Sequence, residues 1–325
     1  MVKEKKEEKM ILGMPSSTFM KKYGIFIILL MMIGFMCVAS PTFRTGGNVI
    51  SILQQVSVNG VLALGMVFVI CAGGIDLSIG SMLALTSVVI GETLKRSDSM
   101  WAAILLSILV CAFFGLVNGV LISRFNLFPF VVTLATQLVI RGVGYIISDG
   151  RTVTLTNKSF RRIGLGKFAG VVPNSIIILI GVAVVAYILL HWTKFGRYIY
   201  AVGGNINAAT ASGVKVFWTR TMSFVWMGVC AAIAGVILTS RINASQPNIG
   251  LGYETDAIAA CVIGGTSFAG GVATIPGTLI GVAIMGVIYN GMNLLRISSY
   301  YQTVTKGLLV LGAVLLDIYI NKKRS

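Results

Sequence analysis

Charged residues are scarce in this chain, and histidine is nearly missing. Only 11% of the 325 residues are Asp, Glu, Lys or Arg, where a soluble domain carries about 25%. Hydrophobic residues make up 56%, and mean hydropathy is +0.90. A water-soluble domain is excluded, and a polytopic membrane protein remains. The one histidine, His191, ends an apolar run beside Trp192 and reads as an interfacial residue. Cys37, Cys71, Cys111, Cys230 and Cys261 lie in apolar stretches without paired spacing, which excludes a disulfide framework and a metal cluster. No Gly-x-x-x-x-Gly-Lys-Ser/Thr loop, His-Glu-x-x-His or Gly-x-Ser-x-Gly occurs. ATP hydrolysis by the chain itself, zinc peptidase chemistry and serine hydrolase chemistry are therefore excluded, and no enzyme is expected.

Acidic residues are also few, ten against 26 Lys and Arg, for a net charge of +16. A nucleic-acid binder would gather its cations on a folded soluble face. Here they cluster at the ends, at Lys3, Lys5, Lys6, Lys9, Lys21 and Lys22 and at Lys322, Lys323 and Arg324. Such clusters hold termini on the cytoplasmic side against anionic lipid. Membrane lipid is expected as a partner, and nucleic acid is not.

A spanning helix needs about 20 apolar residues. The candidate spans are 23–40, 49–72, 75–94, 100–122, 127–148, 172–193, 217–240, 254–269, 272–294 and 299–320. The expected fold is thus all-α, a transmembrane helical bundle of about ten spans over 23–320 between basic cytoplasmic tails 1–22 and 321–325. The apolar run ending near Ala39 has no small-x-small cleavage site before Pro41 and reads as an uncleaved first span. With both termini inside, fourteen Lys/Arg fall inside and ten outside, with Arg141 and Lys306 within spans. Segment 149–170, outside with five cations, works against the positive-inside rule. The short, glycine-ended eighth segment could be re-entrant. Gly115–Gly119 and Gly277–Gly281 are GxxxG patterns, and Asn118-Gly119 and Asn290-Gly291 end apolar runs on opposite sides. An inverted repeat would suit this, though glycine-rich helices make such coincidences common.

One polar, glycine-punctuated connector, 194–216, interrupts the apolar pattern. Asn205 can cap a short helix over 206–212, and Gly213 can supply the left-handed stop. Ala208, Ala209 and Ala211 would let that helix sit deep in a groove. From spacing alone, an ordinary loop with a helical turn fits equally well.

Other polar residues border the spans. In Gly73-Gly-Ile-Asp-Leu-Ser-Ile-Gly-Ser81, Asp76 or Ser78 can cap the next helix, or the break can form part of a gate. Asn59, Thr133, Gln137, Asn290, Asn293 and Gln302 could line a weakly polar path for a hydroxylated solute, or tie helices together. Asp76, Glu254 and Asp256 all lie near predicted span boundaries, which speaks against an ion-gradient carrier. Arg141 and Lys306 fall in the outer half of the bilayer, and pairing of Asp256 with one of them is expected. The alternative is that each cation snorkels outward or caps backbone carbonyls.

The connector Gly196 to Val216 resembles the coupling loop of permease subunits from sugar ABC importers of the ribose-permease type. The likeness extends to Gly73–Ser81, Tyr253–Ala260, Gly264–Gly271 and Ser298–Gln302, within residues 45–318. It implies a subunit of the bacterial cytoplasmic (inner) membrane. A separate cytoplasmic ATP-binding subunit would engage Gly203, Gly204, Asn205, Ala208, Ala209, Ser212 and Gly213. The chain itself would hold no cofactor, its partners binding the ATP. An extracytoplasmic sugar-binding protein would deliver substrate, and a second permease copy or paralogue would complete the path. Ribose is the substrate the resemblance favours. Relatives for xylose, galactose, inositol or autoinducer share the pattern. The rivals are a gradient-driven sugar carrier and a membrane scaffold without transport.

Overall fold

The computed structural model describes residues 10–11 and 14–322, and side chains over 23–312, 314 and 315. Apart from two-residue strands, the elements are helices: α1 (Ser16–Ala39), α2 (Gly46–Cys71), α3 (Ile79–Ser97), α4 (Met100–Phe125), α5 (Pro129–Ser148), α6 (Lys158–Leu165) and α7 (Asn174–His191). They continue as α8 (Lys194–Gly204), α9 (Ile206–Ala211), α10 (Val216–Ile242), α11 (Tyr253–Ile263), α12 (Ile275–Leu294) and α13 (Ser299–Lys322). This is the all-α polytopic bundle expected.

Polar residues set the helix limits. Thr45, Ser99, Asn157, Thr193, Asn205 and Thr274 each accept a hydrogen bond from a backbone N–H three residues on. Those side chains occupy the free donors of a first turn. Asp98, Asn126, Asp149 and Asn243 end α3, α4, α5 and α10 in the left-handed conformation, which Asn and Asp tolerate better than most residues.

Among the described residues six helices, α2, α4, α5, α7, α10 and α12, are long and apolar enough to cross a membrane by length and composition. Burial sorts them. The apolar windows of α2, α10 and α12 are 78%, 72% and 61% buried, against 22%, 22% and 28% for α4, α5 and α7. Hence α2 and α10 form the centre with α3, whose residues 79–91 are all buried. The outer helices leave apolar faces such as Leu105, Leu109 and Phe113 open for lipid. Aliphatic exposure there is no defect, because the solvent is hydrocarbon.

Glycines bring the inner helices together. On α4, a Cβ at Gly115 or Gly119 would meet the α10 backbone at Phe224 or Thr221. On α12, Gly277 and Gly281 lie equally close to Gly264 and Ala260, beside α11. Both GxxxG patterns therefore serve close approach. One joins distant parts of the chain and the other joins sequence neighbours, so the two contacts are not equivalent.

The eighth expected span is corrected. Segment 254–269 contains only the 11-residue α11, about 16 Å at 1.5 Å per residue, half of a ~30 Å hydrocarbon core. The chain before it is not helical. Ser245 lies against Gly91, Gln246 N donates to Ser87 Oγ at 3.1 Å, and Gly250 touches Gly80. Residues 245–250 thus run antiparallel along α3, with a turn at Pro247 and Asn248 and with Ser245, Pro247 and Gly250 buried. The strand Ala244–Ser245 at the head of this segment pairs antiparallel with the strand Val153–Thr154.

Filling the Gly80–Gly250 contact should unseat this segment. Gly80→Val is expected to lower stability by about 1–3 kcal/mol or more. Gly34→Val, whose Cβ meets nothing within 4 Å, should leave it nearly unchanged. Thermal unfolding of the purified protein in detergent separates the two.

Candidate coupling surface and polar interior

The connector is two helices joined by one residue. Thr193 Oγ1 caps α8 by accepting from Gly196 N at 3.3 Å. Asn205, extended at φ −161, ends α8 and starts α9, its Oδ1 accepting from Ala208 N at 3.0 Å. At the far end, Ser212 N donates to Ala208 O, and Gly213, at φ +77, donates to Thr210 O at 3.0 Å. The expected Asn205 cap and Gly213 stop are both in place around a helix of six residues.

Two details differ from expectation. Gly203 and Gly204 are the last turn of α8 rather than loop. Gly203 packs on the Cys71 carbonyl and on Gly271, and Gly271 N donates to Cys71 O at 2.9 Å. Tyr200 OH donates to Ala273 O at 2.9 Å, and Phe195 stacks on Phe68 at 6.1 Å. These contacts fix α8 to the end of α2 and to the 264–274 loop. The second detail is Ala209, which is buried and receives Val214 N on its carbonyl. The outward face of α9 is Ile206, Asn207, Ala208, Thr210 and Ala211, with Ser212 exposed beyond it. A six-residue helix buries one position, and the sequence does not say which. Lys194, Arg197, Lys215 and Arg220 lie between 192 and 220 with no Asp or Glu among them.

The Gly73–Ser81 break is knitted from within. Asp76, fully buried, accepts through Oδ1 from Ser78 N at 2.8 Å and from Ser78 Oγ at 2.6 Å. Asn118 Nδ2 on α4 donates to Ser78 Oγ at 3.0 Å. Ser78 begins α3 without a side-chain cap of its own, so Asp76 supplies that bond. Thr133 Oγ1 donates to its own helix at Pro129 O, 2.8 Å away, and lies 3.4 Å from Ile75 O.

Of the two cations placed within spans, one pairs as expected. Lys306 Nζ on α13 lies 2.9 Å from Asp256 Oδ2 on α11, and Tyr289 OH on α12 donates to Asp256 Oδ1 at 2.8 Å. The ammonium also sits 4.8 Å over the Tyr289 ring. Arg141 makes no ion pair among the described residues, although Glu254 lies near enough for the two charges to interact. Arg141 NH1 donates to Pro247 O at 3.0 Å and Ile249 O at 2.7 Å, capping carbonyls of the 245–250 segment.

The remaining polar residues divide. Asn290 exchanges two hydrogen bonds with Asn48, at 3.0 and 2.8 Å, and Gln302 donates to Asn293 Oδ1 at 2.8 Å. These three tie α12 to the start of α2 and to α13. Asn59 and Gln137 make no hydrogen bond among the described residues; Asn59 is buried on α2 and Gln137 half-buried on α5. The sequence reading missed Tyr289, Asn48 and Asn118. Only their polarity within apolar runs marks them.

A family model described as "Branched-chain amino acid transport system / permease component" matches residues 48–316. The chain belongs to this permease family. The permease is 44% identical over 300 residues to the ribose import permease protein RbsC of Bacillus subtilis (strain 168), covering 92% of this chain and 93% of that one. It is 42% identical over 302 residues to RbsC of Escherichia coli (strain K12), covering 92% and 93%. The D-allose transport system permease protein AlsC of Escherichia coli (strain K12) is 39% identical over 306 residues, 94% of each. No solved structure matches the permease. The matched region takes in the connector, the Asp76 break and the Asp256–Lys306 pair.

A half-exposed partner makes the Asp256–Lys306 pair cheaper to break than a fully buried one, for which about 3–5 kcal/mol is usual. Lys306→Met in the permease is expected to cost about 2–3 kcal/mol. Adding Asp256→Asn should recover a substantial part, because no unpaired charge is then left inside. Thermal unfolding of the two variants in detergent gives the comparison.

Proposed function

We propose that the permease forms the membrane path of an ATP-driven sugar importer, with ribose or a related pentose or hexose as its substrate. The observation that carries this is the 44% identity to a ribose import permease over nearly the full length of both chains. The ATP is held by a separate cytoplasmic subunit, and an extracytoplasmic sugar-binding protein delivers the solute. A second copy or close relative completes the path. Both termini and the α8–α9 connector lie in the cytoplasm, and α6 lies outside, in a bacterial cytoplasmic membrane.

The connector suits this role. Its outward face is small and polar around Ile206, its caps are rigid, and α8 is seated on α2 and on the 264–274 loop. A push on α9 from an ATPase groove therefore has a stiff route into the bundle. A proton-driven carrier is less well supported, because Asp256 is committed to Lys306 and Tyr289. The test of the reading is uptake of labelled ribose by proteoliposomes holding permease, ATPase and binding protein. ATP-dependent uptake, competed by allose or L-arabinose according to specificity, is expected. Gradient-driven uptake by the permease alone would refute it.

Two sets of variants probe the parts. Ala211→Trp on the outward face of α9 should insert normally, lose ATPase on copurification and cut uptake at least about tenfold, the effect of about 1.4 kcal/mol. Gly213→Val at φ +77 should also lose uptake, through strain of about 1–2 kcal/mol or more in the turn. Ala209→Trp is a poor probe, since it would collide with the permease's own packing. For orientation, single cysteines at Lys158 and Arg241, in a background without native thiols, should react with an impermeant reagent in intact cells. Those at Lys194 and Lys215 should react only after the membrane is opened.

A further inference from the structure

Arg141, Arg220, Arg241 and Lys306 are the cations that are not exposed among the described residues. Arg141 gives one nitrogen to two carbonyls and Lys306 meets Asp256. Arg220 is the most enclosed of the four at 8% exposed, and its guanidinium has no hydrogen bond or ion pair among the described residues. A charge withdrawn from water without a partner is among the costlier features a fold can carry. We propose that Arg220 is one half of an ion pair whose other half is a carboxylate on the ATPase that engages α8–α9. This rests on the importer reading above and names the chemistry of its docking groove.

The surroundings favour a protein carboxylate over a lipid phosphate. Arg220 sits in the second turn of α10, at the α8–α9 end of the bundle, and α10 packs there against α8 and α9. One turn further along, Phe224 lies against Gly74 and Val69, while the neighbouring Thr221 backs onto Gly119 of α4. The face of α10 that carries Thr221 and Phe224 is thus covered by protein, while Trp218 is exposed. In the stretch that leads through α8 and α9 to Arg220, Lys194, Arg197 and Lys215 are exposed, with no acid from 192 to 220. The field of that stretch favours an acidic groove and disfavours a basic one. Three exposed cations steer, while the buried guanidinium gains most from a partner, because screening by salt is weakest there.

The experiment copurifies the ATPase through a tag on the full-length permease, at 0.15 M and 0.5 M salt, with insertion yield followed by size-exclusion chromatography. Arg220→Gln and Arg220→Glu should keep the yield and lose about tenfold or more of the bound ATPase at both salts. Arg220→Lys should restore part of it. Lys194→Gln and Lys215→Gln should lose less than about threefold, and only at the lower salt. A second arm leaves Arg220 intact and neutralises, one at a time, the Asp and Glu residues of the ATPase groove, one of which should reproduce the tenfold loss. Wild-type ATPase binding by Arg220→Gln overturns the proposal, as does an ATPase with no such acid. Retained ATPase with loss of copurifying phosphatidylglycerol, read by native mass spectrometry, assigns the guanidinium to a lipid headgroup and also overturns it. If the wild-type permease captures no ATPase at all, the importer reading itself fails and this proposal falls with it.

Discussion

A backbone that leaves the helix inside a bilayer must find its hydrogen bonds in protein, because hydrocarbon offers none. Residues 245–250 of the permease, non-helical and packed along α3, meet the same need with bonds from two helices. Arg141 gives NH1 to the carbonyls of Pro247 and Ile249, Ser87 receives Gln246 N, and two glycines allow the segment to lie flush on α3. Ser87 and Gly80 sit on α3 and Arg141 on α5, so the segment links those two helices to the stretch between α10 and α11. A cation in the membrane is costly when idle. Here it replaces the water that two carbonyls would otherwise lack.

The same economy appears at the other break. Asp76 has no ion pair among the described residues; its Oδ1 is held by Ser78, to which Asn118 on α4 also donates, while Asp76 Oδ2 and Asn118 Oδ1 stay without a partner. Close helix approach makes this feasible. With Gly115 and Gly119 against α10, the α4 backbone comes near enough for a short Asn side chain to reach the start of α3. Packing and polar satisfaction are therefore one problem in this bundle. Substituting the glycines would strand the polar groups as well as crowd the helices.

What could be read in the sequence follows the range of the interaction. The caps at Asn205 and Gly213 are local, set within four residues, and both were legible. The apolar runs gave α2, α4, α5, α7, α10 and α12 nearly to their ends, because hydropathy over 20 residues is a strong signal. The 254–269 segment misled, since a non-helical stretch and a half-length helix together have the hydropathy of a span. Arg141 and Lys306 looked alike in depth; only the fold decided that Lys306 meets Asp256 and Arg141 meets carbonyls more than a hundred residues away. The inward turn of Ala209 was hidden for the same reason. On a helix of fewer than two turns, the buried side is chosen by tertiary contact rather than by periodicity.

Gly203 touches the Cys71 carbonyl and Gly271 backbone to backbone, with no side chain interposed. Side chains act as springs in most helix contacts, hopping between rotamers and absorbing small displacements. This junction has no such compliance. A shift of α8 arrives at the end of α2 and at the 264–274 loop undamped and at the same moment, so the two cannot be moved separately from the connector. One glycine thereby leaves α8 in direct backbone contact with two neighbours that are distant in sequence, a hard junction where a larger residue would force all three apart.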